Sequence, residues 1–312
     1  MQEDLRISIG IPVHNEEAVV DELLSRLGAV LSRQRGGPHE IVFVDDGSTD
    51  RTVELLRDAK VDNAAVVVVR LSRNFGHQAA LTAALDHVTG DVAVLMDGDL
   101  QDAPEAIPSM LEKHAQGYDV VFAQRASRHE AWYLRFSYGV FYRLIQRLAD
   151  VKLPLDSGDF SLLSRKVIDT LKRAPERHRY LRGLRSWAGF RQIGVAVPRD
   201  TRFGGVSKYS ALKLLNLAFD GIFSFSIVPL RAASILGALV TAGAGVYALY
   251  ALMVKLLTDQ SPLGFTALIV IIVFMSGVQL FFLGIIGEYV GRAYDEAKAR
   301  PHYVVDEIIR GS

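Results

Sequence analysis

Two long uncharged stretches near the carboxyl end constrain this chain more than any other feature. Ala232 to Val254 runs about 23 residues without a charge and Gln260 to Gly287 about 28, each long enough to cross a hydrocarbon core as a helix. The competing reading, a pair of buried helices in a large soluble core, fits shorter apolar runs better. Two transmembrane helices are therefore expected. The loop between them, Lys255 to Phe265, carries one lysine and one aspartate, whereas Arg231 precedes the first span and Arg292, Lys298 and Arg300 follow the second. The excess of basic residues on the outer flanks places both termini, and the large amino-terminal region, on the cytoplasmic side of an inner membrane, in a multi-pass arrangement. The first ~25 residues are charged and strand-like, so no signal peptide is expected.

The rest of the composition works by exclusion. The chain has 312 residues, a formal net charge of zero and no cysteine. A neutral balance gives no basic face for a nucleic-acid partner. Without cysteine there is neither a disulfide nor a thiolate metal site.

Before the apolar stretches, short runs rich in β-branched residues alternate with amphipathic ones. Ile7–Ile11, Ile41–Val44, Ala65–Val69, Val92–Met96 and Val120–Ala123 read as strands, and Ala18–Leu31, Thr52–Ala59, Gln78–His87 and Ala106–Ala115 as helices. Such alternation predicts an α/β domain with a doubly wound, mostly parallel sheet. Ligands of these sheets bind at the carboxyl ends of the strands. Gly36-Gly37-Pro38 reads as a turn. Two later stretches, Trp132–Leu148 and Tyr209–Phe225, mix aromatics with basic residues. They read either as core-facing helices or as helices lying in the membrane interface.

Three strand ends carry polar groups: Pro12-Val13-His14-Asn15-Glu16, Asp45-Asp46-Gly47-Ser48 and Asp97-Gly98-Asp99-Leu100-Gln101. Two aspartates one glycine apart put like charges near one point, where they repel unless a cation lies between them. Hard oxygen donors suit Mg²⁺ or Mn²⁺. A divalent ion there would bridge a diphosphate and offset the charge that develops as it leaves. Turns favour aspartate for their own reasons, so Asp-x-Asp alone is a weak signal. No G-x-G-x-x-G follows the first strand and no Walker motif is present, which argues against a dinucleotide cofactor and an ATPase. A carboxylate in Asp45–Ser48 can accept hydrogen bonds from a uracil edge or a ribose hydroxyl. Ser48 or Asp50 can equally serve as helix N-cap.

Together these three runs resemble the GT-A domain of family 2 glycosyltransferases. Leu71–Gly76, Ser157–Phe160, Arg202–Tyr209 and Gly287–Arg292 are similar to the polyprenyl-phosphate glycosyltransferases, the group of dolichol-phosphate mannose synthases and bactoprenol glucosyltransferases. The two-span layout matches the bacterial glucosyltransferase branch better than the mannose synthases. The resemblance covers nearly the whole chain. It implies Asp99 as main metal ligand with Asp97 and Gln101 assisting, and Pro12, Asn15, Glu16 and Asp46 lining the nucleotide-sugar pocket. It also implies Arg125 and Arg135 gripping the acceptor phosphate, which suits the planar fork of arginine. Arg202 and Lys208 would lie on a segment closing over donor and acceptor. Gln124, where serine is frequent, and His77 depart from the commonest pattern, in detail such as donor choice. Asp159 matches a residue with a case as catalytic base. A phosphate monoester is largely unprotonated at neutral pH, however, so Asp159 could instead orient an arginine or the sugar.

The implied layout is a GT-A domain over 1–205, a juxtamembrane amphipathic helix over 206–226, a two-helix membrane region over 227–290 and a cytoplasmic tail over 291–312. The implied reaction is inverting transfer of a hexose from a UDP-sugar to a polyprenyl phosphate such as undecaprenyl phosphate, by a membrane enzyme of the cell envelope, expected as a homo-oligomer. Glucose and UDP follow from the branch resembled; the residues do not read hydroxyl stereochemistry. A GT-A enzyme using diacylglycerol or a growing polysaccharide stays open as an alternative. So does a noncatalytic membrane scaffold, which the intact Asp97, Asp99, Gln101 and Asp159 speak against.

Overall fold

The computed structural model describes residues 4–125, 157–177, 179–197, 228–258 and 264–311. Arg135, Arg202, Lys208 and the stretches Trp132–Leu148 and Tyr209–Phe225 lie outside the described residues, as does the side chain of Arg125. In chain order the elements are β1 (Ile7–Val13), α1 (Val20–Leu31), β2 (His39–Asp45), α2 (Thr52–Arg57), β3 (Ala64–Leu71), α3 (His77–His87), β4 (Val92–Leu95), α4 (Ile107–Ala115) and β5 (Val120–Arg125). There follow β6 (Ser157–Ser164), α5 (Arg165–Arg173), α6 (Leu181–Trp187), β7 (Gln192–Val197), α7 (Val228–Thr258), α8 (Phe265–Lys298) and β8 (Val305–Arg310).

All eight strands join one sheet in the order β7-β5-β6-β4-β1-β2-β3-β8. β1 pairs in parallel with both β2 and β4, β2 with β3, and β5 with β7. β6 runs antiparallel between β4 and β5, and β8 runs antiparallel along β3. Strands buried on both faces favour apolar residues, which is why Ile9–Val13, Ile41–Val44 and Val92–Leu95 read as hydrophobic runs, while the buried polar pair at the strand starts satisfies itself, Ser8 Oγ donating to Glu40 Oε2 at 2.6 Å. In β2, Ile41 and Phe43 enter one core with α1 and α4, while Val42 and Val44 enter the other with α3. α3 presents Ala80, Ala83 and Ala84, and it settles close to β1 because Gly10 has no side chain. A Cβ there would stand 2.9 Å from Leu95 Cδ2 and 3.0 Å from Ala84 Cβ.

Residues 291–312, expected as a tail, are not one. α8 continues to Lys298, and Val305–Arg310 returns to the sheet as β8. Ser72 N–H donates to Val304 O at 2.9 Å, Tyr303 Oη donates to Asp86 Oδ2 at 2.9 Å, and Arg57 pairs with Glu307 at 3.1 Å. This strand is short and carries Asp306, Glu307 and Arg310, the charges that commonly protect a sheet edge and that mask its strand pattern. The chain divides into two units, one holding the sheet together with residues 300–312 and one holding α7 and α8. Ala233–Val254 in α7 and Phe274–Lys298 in α8 are long and apolar enough to cross a membrane, with mean hydropathy 1.8 and 1.4 and no share of either buried. Large apolar side chains such as Leu239, Val246 and Phe281 stand exposed along them. These two helices mark the chain for membrane association.

At the amino ends of the strands, Ile7 N–H donates to His39 Nδ1 at 3.2 Å inside the core. Burial, with a smaller push from Arg6, holds the His39 pKa below its ordinary value against the opposing pull of the Gln34 backbone carbonyl. A protonated Nδ1 could not accept the Ile7 hydrogen bond. Since the folded pKa lies below the unfolded one, this imidazole has no effect on stability at neutral pH. Below the unfolded value of about 6.5 it favours the unfolded chain, until pH reaches the folded value. Thermal melts of the full chain from pH 8 to 5 should therefore show a loss of stability beginning near pH 6.5 that is smaller in His39→Asn. An equal loss in both would remove His39 as its source.

Candidate active site

The strand order brings the carboxyl ends of β1, β2 and β4 side by side, with β6 entering beside β4. The β1 loop is sewn to the β2 loop. Asn15 N–H donates to Ser48 Oγ at 2.9 Å and Thr49 N–H to Asn15 Oδ1 at 2.8 Å, and Glu16 N–H donates to Thr52 Oγ1 at 2.9 Å. Asn15 takes a left-handed backbone (φ 56°), which asparagine tolerates well. Pro12 lies buried in β1 opposite Val44. Neither cap candidate holds the N-cap of α2, which is Arg51, but Asp50 Oδ1 accepts Thr52 N–H at 3.0 Å and the Thr52 hydroxyl at 2.6 Å at the start of that helix. Those hydrogen bonds hold its carboxyl below the ordinary range, although burial pushes the other way.

Asp46 has a scaffolding role that the sequence did not show. Buried at the end of β2, it accepts Phe75 N–H on Oδ1 at 2.7 Å and Gly76 N–H on Oδ2 at 3.0 Å. Gly47, at φ 71°, passes so close to the same loop that a Cβ would meet Asn74 N at 2.7 Å. The Leu71–Gly76 motif is thus a loop built around one carboxylate, and it delivers His77 to the head of α3. Each Asp46 oxygen keeps a second lone pair for a ligand.

The acidic turn follows β4. Leu100 adopts a left-handed backbone (φ 59°) although its side chain is buried. That conformation costs about 1–2 kcal/mol for a residue with a Cβ, and burial of the leucine holds it in place. Asp99 is braced by Gln101, which donates its N–H to Oδ1 at 3.1 Å and its side-chain amide to Oδ2 at 2.8 Å. Asp97 Oδ1 is a buried oxygen with no hydrogen-bond partner. Burial pushes the Asp97 carboxyl above the ordinary range; His77 pulls it back, and the charges of Asp159 and Asp99 add to the rise.

Next to this turn, β6 contributes Asp159, which is buried. Arg182 on α6 grips it with both prongs, Nε to Oδ1 at 2.7 Å and Nη2 to Oδ2 at 2.6 Å. Burial alone would raise the Asp159 pKa, but the paired guanidinium and His77 more than offset it and hold the carboxyl well below the ordinary range. His77 Nε2 stands 3.5 Å from both Asp97 Oδ1 and Asp159 Oδ2. These acids raise its pKa against the effect of burial. One turn further along α6, Arg185 is only 4% exposed and stacks its guanidinium over Phe122 at 5.3 Å. Burial lowers its pKa to about 10. Arg182 and Arg185 sit in Arg182-Gly183-Leu184-Arg185-Ser186-Trp187, a stretch that sequence reasoning passed over. Paired arginines at helical spacing were the available signal.

Of the residues expected to form the site, the structure brings together Pro12, Asn15, Glu16, Asp46, Asp97, Asp99, Gln101 and Asp159 at one end of the sheet. Arg125 closes β5 at the same end. Among the described residues no three acidic or histidine side chains form a closed metal cage. The Asp97 and Asp99 carboxylates and the Gln101 amide oxygen, with Asp97 Oδ1 buried and without a hydrogen bond, nevertheless fit a divalent cation.

The sequence profile described as glycosyl transferase family 2 matches residues 8–172. The chain is 44% identical to an uncharacterized glycosyltransferase, YkcC, of Bacillus subtilis, over 98% of this chain and 95% of that one. It is 38% identical to the SfII prophage-derived bactoprenol glucosyl transferase of Shigella flexneri, over 99% of this chain and all of that one. It is 36% identical to the undecaprenyl-phosphate 4-deoxy-4-formamido-L-arabinose transferase of Pseudomonas aeruginosa, over 98% of this chain and 91% of that one. The profile match over residues 8–172 and the full-length likeness agree: this chain belongs to glycosyl transferase family 2 and is a glycosyltransferase.

Proposed function

We propose that the enzyme transfers a hexose from a UDP-sugar to the phosphate of a polyprenyl lipid such as undecaprenyl phosphate, with inversion. The observation that carries this reading is the acidic Asp97–Asp99 turn standing beside the buried Asp159–Arg182 pair on the neighbouring strand. The names of the full-length relatives support the lipid acceptor and, for the Shigella protein, glucose.

Asp97, Asp99 and Gln101 would hold Mg²⁺ or Mn²⁺, whose charge would stabilise the departing diphosphate. The nucleotide would lie over Pro12, Asn15, Glu16 and Asp46. An oxygen of the lipid phosphate attacks the anomeric carbon and forms a new C–O bond. The bond to the nucleotide diphosphate breaks, and its electron pair leaves with UDP. One displacement gives inversion and needs no glycosyl-enzyme carboxylate. The lipid phosphate has its second pKa near 6, so it arrives unprotonated. Asp159, held ionised by Arg182, is a weak proton acceptor, and its role is to orient Arg182 and His77. Arg125 and Arg135 would bind the acceptor phosphate, with Arg202 and Lys208 on the segment that closes over it.

Pairing of β8 with β3 supports a two-span layout with both flanks on one side of the bilayer, and the basic residues of those flanks support the cytoplasm as that side. The chain leaves the sheet after β7 and re-enters it at β8, so any crossings in between would have to be even in number. Two spans satisfy this. A reporter after Ser312 should read as cytoplasmic and one at Gln260 as external; the reverse would separate the site from cytosolic nucleotide sugars.

The reaction is tested with a panel of radiolabelled nucleotide sugars and undecaprenyl phosphate. Label should enter the lipid from a UDP-hexose and only with a divalent cation. Asp99→Asn should lower turnover by roughly 10²–10³-fold, the scale of losing one major electrostatic stabiliser. Full activity in excess EDTA would overturn the metal assignment, and label entering only diacylglycerol or glycan would overturn the acceptor.

A further inference from the structure

One strongly charged group near the site has no role in the reaction as described. Arg185 is 4% exposed, and its Nε and Nη2 are buried without a hydrogen-bond partner. Among the described residues it makes no ion pair; its contact is the face of Phe122 on β5. Asp159 is nearby, but both its oxygens are already engaged by Arg182. A buried guanidinium left without an anion is costly in a folded protein, and a bound anion is one way to supply the missing charge.

Position says which ligand. Counting across the sheet from the nucleotide loops of β2 and β1, the order is β4 with the acidic turn, β6 with Asp159, then β5 with Phe122. Three strand spacings of ~4.8 Å separate β5 from β1, about 14 Å. Arg185 therefore stands beyond Asp159, on the side of the acidic turn away from the nucleotide loops. A diphosphate bound at Asp97 and Asp99 with its uridine over β1 and β2 extends in the other direction. Arg125, at the end of β5, lies at the same edge of the site. Arg182 and Arg185, three residues apart on α6, share one face of the helix.

We propose that Arg185 is a binding residue of the acceptor subsite, where its unpartnered guanidinium nitrogens take the oxygens of a phosphate monoester dianion, the head of the lipid acceptor. This assignment rests on the functional reading above and adds a residue to it. Arg182 acts as the positioning partner that keeps Asp159 from capturing Arg185.

The competing role is packing, an apolar stem and flat head laid on Phe122. Methionine would fill that role with similar length and no charge, so Arg185→Met separates the two. The full chain, in detergent, is assayed for the KM of undecaprenyl phosphate. Its melting temperature is recorded with geranyl phosphate, with inorganic phosphate and with UDP plus Mn²⁺, each shift being read against the same variant without ligand. Arg185→Met should raise the acceptor KM at least tenfold. It should also lose the geranyl phosphate shift while keeping the UDP shift, and Arg185→Lys should fall between it and the wild type. An acceptor KM within twofold of wild type would overturn the proposal, as would loss of the UDP shift to the same degree. Inorganic phosphate shifting the wild type as much as geranyl phosphate would overturn the lipid as source. If the wild type transfers sugar to no lipid phosphate, the functional reading fails; a geranyl phosphate shift that vanishes in Arg185→Met would still support the subsite.

Discussion

Parallel pairing of β1 with both β2 and β4 is the constraint on which the rest of this molecule depends. Because the three strands point the same way, their carboxyl ends open on one crevice, and the chain must supply a polar turn at each. The registers Val13 to Asp45 and Gly10 to Leu95 set the Asn15–Glu16, Asp45–Ser48 and Asp97–Gln101 turns beside one another. Backbone groups that would otherwise be orphaned in this crevice are satisfied by side chains: Ser48 and Thr52 for the β1 loop, Asp46 for the loop before α3. The polar residues of the crevice are therefore scaffold and candidate ligands at once.

The charges are arranged less comfortably than the backbone. Asp97, Asp99 and Asp159 crowd one end of the sheet, and His77 and Arg182 offset part of their repulsion. One Asp97 oxygen and two Arg185 nitrogens are left buried without a hydrogen bond. Each such group costs roughly 1–3 kcal/mol, more where a charge is involved. Gripped by a bidentate arginine, Asp159 is a fixed negative point beside the acidic turn.

Much of this was legible in the sequence. The apolar runs within β1 to β5 and the helices between them are long enough to be read directly, because a strand buried on both faces can be polar only where a partner such as Glu40 for Ser8 satisfies it. The two apolar helices were equally plain. β6, β7 and β8 were not read; the antiparallel β6 and β8, at a junction and at a sheet edge, carry the serines and charges that their neighbours demand. The aspartates at strand ends stood out by position, whereas the double work of Asp46 did not, because its partners are backbone N–H groups with no sequence signature. Arg182 and Arg185 escaped for a related reason. On a short helix they resemble a solvated face, and only burial distinguishes them.

The central claim is that the acceptor is a phosphate oxygen and that the sugar is displaced once. It is tested most directly by the structure of the product formed from a UDP-hexose labelled with ¹³C at the anomeric carbon and undecaprenyl phosphate. NMR should show one phosphodiester phosphorus coupled to the labelled carbon, an anomeric configuration opposite to that of the donor, and one UDP released per sugar transferred. A labelled carbon with no phosphorus coupling, or a product that keeps the donor's configuration, would contradict the account.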